Sequence, residues 1–312
     1  MWLVPLLALA PAVLPQRALA TELEQRSAHV ERGSTEWFRL GFERIEAELR
    51  CDVRAAHEHA LELLADARAR DDQGLIATAA ALADLTLATL EGPAHAGEWS
   101  PQAITLPAGA PDWLVAHHVL ARSRHLCLAA NPGDERATAL EGSTRARASG
   151  DLGLRVLAAL TVYHVTHDSA ETFYEDLRAE LEALALEPAL GAHAQRLLFL
   201  EYDHSYAEYT REERMQRLAE IERQAGELGD LVTLGNVAWA SAELALEAGD
   251  SEEAQRQQAR ASAHFERLGD RRNQAFALEN ACDIAIAQRE FERAHGFLEQ
   301  ASALIEGRGF KA

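Results

Sequence analysis

Apolar residues return every three to four positions along most of this chain, the period of a helix with one buried face, and short polar breaks interrupt them at nearly even intervals. The clearest stretch, Gly229 to Leu304, is one two-helix unit written twice. Gly229-Asp230 recurs 40 residues later as Gly269-Asp270, and each is followed by an alanine-rich helix, a polar break and a second helix. The breaks are Gly249-Asp250-Ser251 and Arg289-Glu290-Phe291. Markers at Asp72, Asp112, Asp151, Leu190, Asp230 and Asp270 are spaced by 40, 39, 39, 40 and 40 residues, and predict helix starts near Gln73, Trp113, Leu152, Gly191, Leu231 and Arg271. With a first unit from about Ser34, this gives about seven antiparallel helix pairs, an α-solenoid in which each pair buries its neighbour's apolar face. Alanine is abundant, β-branched residues are sparse, and Gly and Pro gather between the periodic segments, so the class is all-α.

In the last unit, Leu278, Ala281, Cys282, Ala285, Phe291, Ala294, Leu298 and Ala301 alternate large and small apolar residues over two helices. This run resembles the tetratricopeptide repeat. The preceding unit keeps the frame with Ala238, Ala242, Ala245, Ala254 and Ala261, but has Ser241 and Gln258 where the family has larger apolar or aromatic residues. Near the start, Trp37-x-x-Leu40-Gly41 is similar to the opening of the family signature, although Leu40, not Trp37, has the spacing to Ala56 that Leu278 has to Ala294. The resemblance implies a right-handed solenoid over residues 34–306 with a repeat of about 40 residues. Its helices are longer than usual for the family, as in repeat arrays of bacterial exported sensors and regulators.

Several segments stand outside the repeats. Residues 1–20 read as a secretory signal peptide with a short apolar core and Ala18-Leu19-Ala20 as the cleavage pattern; an uncleaved anchor is the alternative. Export to the periplasm follows from the first reading. Residues 21–33 form a polar segment, Gly33-Ser34-Thr35 offers a helix N-cap, and 307–312 form a tail. No later segment is expected to be apolar enough to span a membrane. Residues 92–111 carry Pro93, Pro101 and Pro107 where a second helix should stand, which predicts a loop with one short turn at 100–104. Trp99 in that loop could plug the core or reach over the binding face. Cys51, Cys127 and Cys282 are too widely spaced for a metal knuckle, leaving small packed residues or one bridge.

A formal net charge of −20, with Lys311 the only lysine, disfavours nucleic acid and anionic membranes as partners. The resemblance implies that first-helix side chains line a concave groove. Its columns carry His118, Arg196 and Asn236; Phe199, Trp239 and Glu279; His125, His164, Asp203, Glu243 and Asp283; and His167 and Tyr206. The third column is polar in five consecutive units, which reads as a wall facing ligand or as a solvated helix face. Aromatic Phe199, Tyr206 and Trp239 within that rim are what binding surfaces use.

These residues predict a protein or peptide partner, basic where Asp203, Glu243, Glu279 and Asp283 meet it, and pH-sensitive binding through the histidines. No zinc-protease helix, phosphate loop, nucleophile elbow or dinucleotide fingerprint is present, so no metal, cofactor or catalysis is expected. The function expected is a non-catalytic binding scaffold. The alternatives are a periplasmic sensory input domain of a diguanylate cyclase or histidine kinase type, and a homodimer formed through the apolar end of the last helix.

Overall fold

The computed structural model describes residues 16–95, 106–128, 134–166 and 209–306. They form α1 (Gln16–Ala28), α2 (Thr35–Glu48), α3 (Val53–Ala69), α4 (Gln73–Glu91), α5 (Asp112–Leu128), α6 (Asp134–Ser149) and α7 (Leu152–Thr166). After the intervening stretch come α8 (Arg211–Leu228), α9 (Leu231–Glu247), α10 (Ser251–Leu268), α11 (Arg271–Ala287) and α12 (Phe291–Ile305). Among the described residues there is no strand, and successive helices pack on one another as an α-solenoid.

Local chemistry sets the helix starts. The side chains of Ser34, Asp52, Asp72, Asp230, Asp250 and Asp270 each accept from a backbone N–H in the first turn, satisfying donors that have no partner within the helix. Thr210 and Glu213 close a reciprocal capping box on α8. Gly229 and Gly269 end α8 and α10 in the left-handed conformation, with φ of +65° and +88°, so each Gly-Asp pair stops one helix and starts the next. The polar segment 21–33 is largely helical, and Ala20 and Leu23 of α1 bury against α2.

Within a pair the helices approach closely. A Cβ on Gly235 would sit 2.5 Å from the Phe265 ring, so the α9–α10 crossing needs glycine there. The second unit lacks a second helix in its described part, where only a short 3₁₀ turn at Pro93–His95 follows α4; the turn expected at 100–104 and Trp99 lie outside the described residues. Helix α4 is long and apolar enough to cross a membrane, contrary to expectation, but 78% of its most apolar stretch is buried inside the fold. It is apolar on all sides because α2, α3 and α5 surround it. No disulfide joins Cys51, Cys127 and Cys282.

The main departure from a simple linear array is α2. Phe38, Phe42 and Ile45 are fully buried in the cluster that α3, α4 and α5 build, and the Phe42 ring lies 6.2 Å from Trp113 and 5.5 Å from His117 of α5. Arg39, Glu43 and Glu46 share a face of α2 by their spacing, and Arg50 extends the row into the following turn. Arg39 pairs with Asp151, the residue before α7, at 2.5 Å. Glu46 accepts two bonds from Arg124 of α5, at 2.5 and 2.9 Å. Arg50 pairs with Asp230 and donates to Thr233 Oγ1 at 3.1 Å, while its carbonyl accepts the first N–H of α9, from Leu231, at 3.0 Å. Burial and the nearby Asp151 push the Glu43 carboxyl up.

An apolar seam continues that last contact. Val53 and Leu90 pack with Leu231, Ala238, Ala261, Phe265, Leu268 and Ala277, and Arg271 reaches Glu91 at 3.4 Å. The array therefore curls until its first two units touch its last two.

Candidate binding face

The expected groove divides into a closed part and an open part. On α5, His118 is only 5% exposed and its Nδ1 donates to the Ala77 carbonyl of α4 at 3.3 Å. His125 is half-buried against the main chain of Asp84. Burial lowers the pKa of both, so they are neutral near pH 7 and pack α5 onto α4 rather than lining a groove. His117, one residue along, faces α2 and is pushed down to about 4 by burial. The expectation of an open, titrating histidine column is thus corrected at His118 and His125. His164 is on α7 with its side chain outside the described residues, and His167, Arg196, Phe199, Asp203 and Tyr206 lie outside them altogether.

In the C-terminal part the same columns are more exposed. Asn236, Trp239 and Glu243 follow one another at helical spacing on α9, all half-buried, and Glu279 and the exposed Asp283 follow Phe276 on α11. The Trp239 and Phe276 rings meet at 6.5 Å with their planes 45° apart, and the Arg272 guanidinium lies 5.1 Å over the Phe276 ring. Further along both helices the face ends in Leu246 and Ile286, 43% and 48% exposed. An aromatic floor therefore links the two helices, with carboxylates one turn beyond it. Such a surface suits a segment that offers apolar or aromatic side chains together with cationic or amide groups.

Helical spacing alone does not report the partnership of Phe276 with Trp239 and Arg272. One further polar group escaped them. Asp84 of α4 is fully buried among apolar side chains, neither carboxyl oxygen has a hydrogen-bond partner, and burial pushes its pKa up to about 7. The signal was a lone carboxylate inside the run Ala79–Leu85. Among the described residues no cluster of three or more metal-ligating side chains occurs.

No protein-family model matches the chain, and no curated protein matches it. Among solved structures, the crystal structure of a Rap protein complexed with competence and sporulation factor is similar over 94% of this chain and 78% of that one, with a TM-score of 0.64 and 12% identity. At that identity the likeness bears on the fold alone, and it agrees with an all-helical repeat architecture.

Proposed function

We propose that this protein is a non-catalytic scaffold that holds a peptide or an extended segment of another protein on the C-terminal part of its concave face. The observation that carries the reading is the open aromatic pair Trp239–Phe276 with Glu243, Glu279 and Asp283 on the following turns. The equivalent positions of α5 are packed against α4. A solved structure of the same fold in complex with competence and sporulation factor agrees with a scaffold of this kind. Carboxylates on an acidic protein favour a basic segment, which gains from steering as well as from contact. In this reading Asn236 clamps its main chain.

Calorimetry with arginine-containing peptides bearing one aromatic residue tests this. The Trp239→Ala, Glu243→Ala double variant is expected to bind about tenfold or more weakly, with the remaining affinity less sensitive to salt. Equal affinity for the unaltered chain and the double variant overturns the reading. Export belongs to the same proposal: cleavage after Ala20 starts the mature chain at Thr21, within α1, and the intact mass of the exported protein checks it.

A further inference from the structure

The α11–α12 pair stacks on the α9–α10 pair through a small-residue floor. The small residues Ala242, Ala245 and Ala254 of the α9–α10 pair form a floor, and Ile284 of α11 sits on it. Forty residues on, the α11–α12 pair presents Cys282, Ala285 and Ala294 at the same places, buried beside Phe297 and with no further helix above them among the described residues. A groove of about 560 Å³ lies there, floored by Cys282, Ile286, Phe291, Ala294 and Leu298. Phe291 is 61% exposed, Leu298 52% and Ile286 48%.

From one pair to the next polar positions turn apolar: Ser251 and Gln258 of the interior α9–α10 pair become Phe291 and Leu298 of the α11–α12 pair. Gln258 is buried and Leu298 is in the open, so apolar side chains are concentrated where nothing within the described chain covers them. The groove retains the shape that receives a helix and adds apolar surface to hold one.

Charge decides among occupants. Glu299 and Glu306 stand on the rim, no arginine of the described residues pairs with either, and His295, 3.6 Å from Glu299, is the one basic group lining the groove. A second copy docked symmetrically would bring these carboxylates, and a net charge of −20 on each chain, against themselves. We infer that this end groove is a docking site for an amphipathic helix of a partner protein, with an apolar stripe facing Phe291 and Leu298 and basic residues flanking it. This surface shares Ile286 with the far end of the Trp239 face, but the inference does not rest on the reading of that face.

The test uses the full chain and a fluorescent synthetic helix with a leucine stripe flanked by lysines, followed by anisotropy. The variant Phe291→Ser, Leu298→Gln installs the residues that the interior pair carries, at exposed positions, so circular dichroism should be unchanged. That variant, and a peptide whose lysines are replaced by glutamates, are each expected to weaken binding by about tenfold or more. Trp239→Ala, Glu243→Ala is expected to leave it unaltered. The inference is overturned by absent binding, by equal binding to the end-groove variant, or by loss of binding in the Trp239 variant instead. A dimer of the unaltered chain in sedimentation, dissolved by Phe291→Ser, Leu298→Gln, also overturns it by giving the groove to a second copy.

Discussion

Helices α5 and α9 occupy the same place in their units, yet their inward columns have opposite fates. His118 and His125 are packed onto α4, and α5 carries α2 on its Trp113–His117 face, whereas Asn236, Trp239 and Glu243 stay accessible on α9. The repeat frame is the same in both; His118 and His125 meet α4, while α2 covers the neighbouring Trp113–His117 face. Helix α2 buries Phe38, Phe42 and Ile45 in the first half, and the turn after it meets the second through Leu49, the Arg50–Asp230 pair and the Arg50 carbonyl. A repeat position is therefore core or surface according to which helix packs against it.

The largest expected effect breaks the contact between the two regions. Asp230 and Asp250 both cap helices, but Asp230 is buried beside Arg50 while Asp250 is exposed. Asp230→Ala strands a largely buried guanidinium and removes a cap, so denaturant unfolding should show a loss of about 3–5 kcal/mol, against about 1 kcal/mol for Asp250→Ala. Equal losses would mean that the seam contributes nothing.

Next in size is a pH effect confined to the closed region. The Asp84 carboxyl is raised from 3.8 in the unfolded chain to about 7 in the folded one. Below pH 4 both states hold the proton and the group has no cost; as pH rises the unfolded state releases it first, so stability falls until about pH 7 and is flat above. Asp84→Asn should remove that slope, and at pH 8 should be more stable than the unaltered protein by on the order of 2–4 kcal/mol relative to the difference at pH 4. Parallel stability profiles in urea would show that the carboxyl is solvated.

A smaller effect tests the open region's framework. Gly235→Ala forces a methyl against the Phe265 ring and should cost about 1–3 kcal/mol in thermal or chemical unfolding, tilting α9 and weakening peptide binding at Trp239 along with it.

Much of the fold could be read from the sequence because its signals are local. Expected starts at Gln73, Leu152, Leu231 and Arg271 coincide with α4, α7, α9 and α11, and Trp113 is one residue inside α5. A Gly-Asp pair carries both the end of one helix and the cap of the next, so it needs no tertiary information. In the first unit Ser34 caps α2, and Leu40, which has the repeat spacing to Ala56, is buried while Trp37 is half-buried. The site was less legible. Whether His118 faces solvent depends on the packing of α4 and α5 and on α2, whose partners Asp151 and Asp230 lie far along the chain, and no periodicity within α5 reports that. The row Arg39, Glu43, Glu46, Arg50 was visible as a charged stripe, but a stripe of that kind reads equally as a solvated face.

Hydroxyl-radical footprinting of the folded chain, with each residue's oxidation rate normalised to that of the unfolded protein, tests the contrast between the two regions most directly. Phe38 and Phe42 are expected to be strongly protected, while Trp239, Phe276 and Ile286 react at a substantial fraction of their unfolded rates and lose that reactivity when a basic peptide is bound. Reaction of Phe42 as fast as Trp239, or peptide protection at α5 and none at α9 and α11, would contradict it.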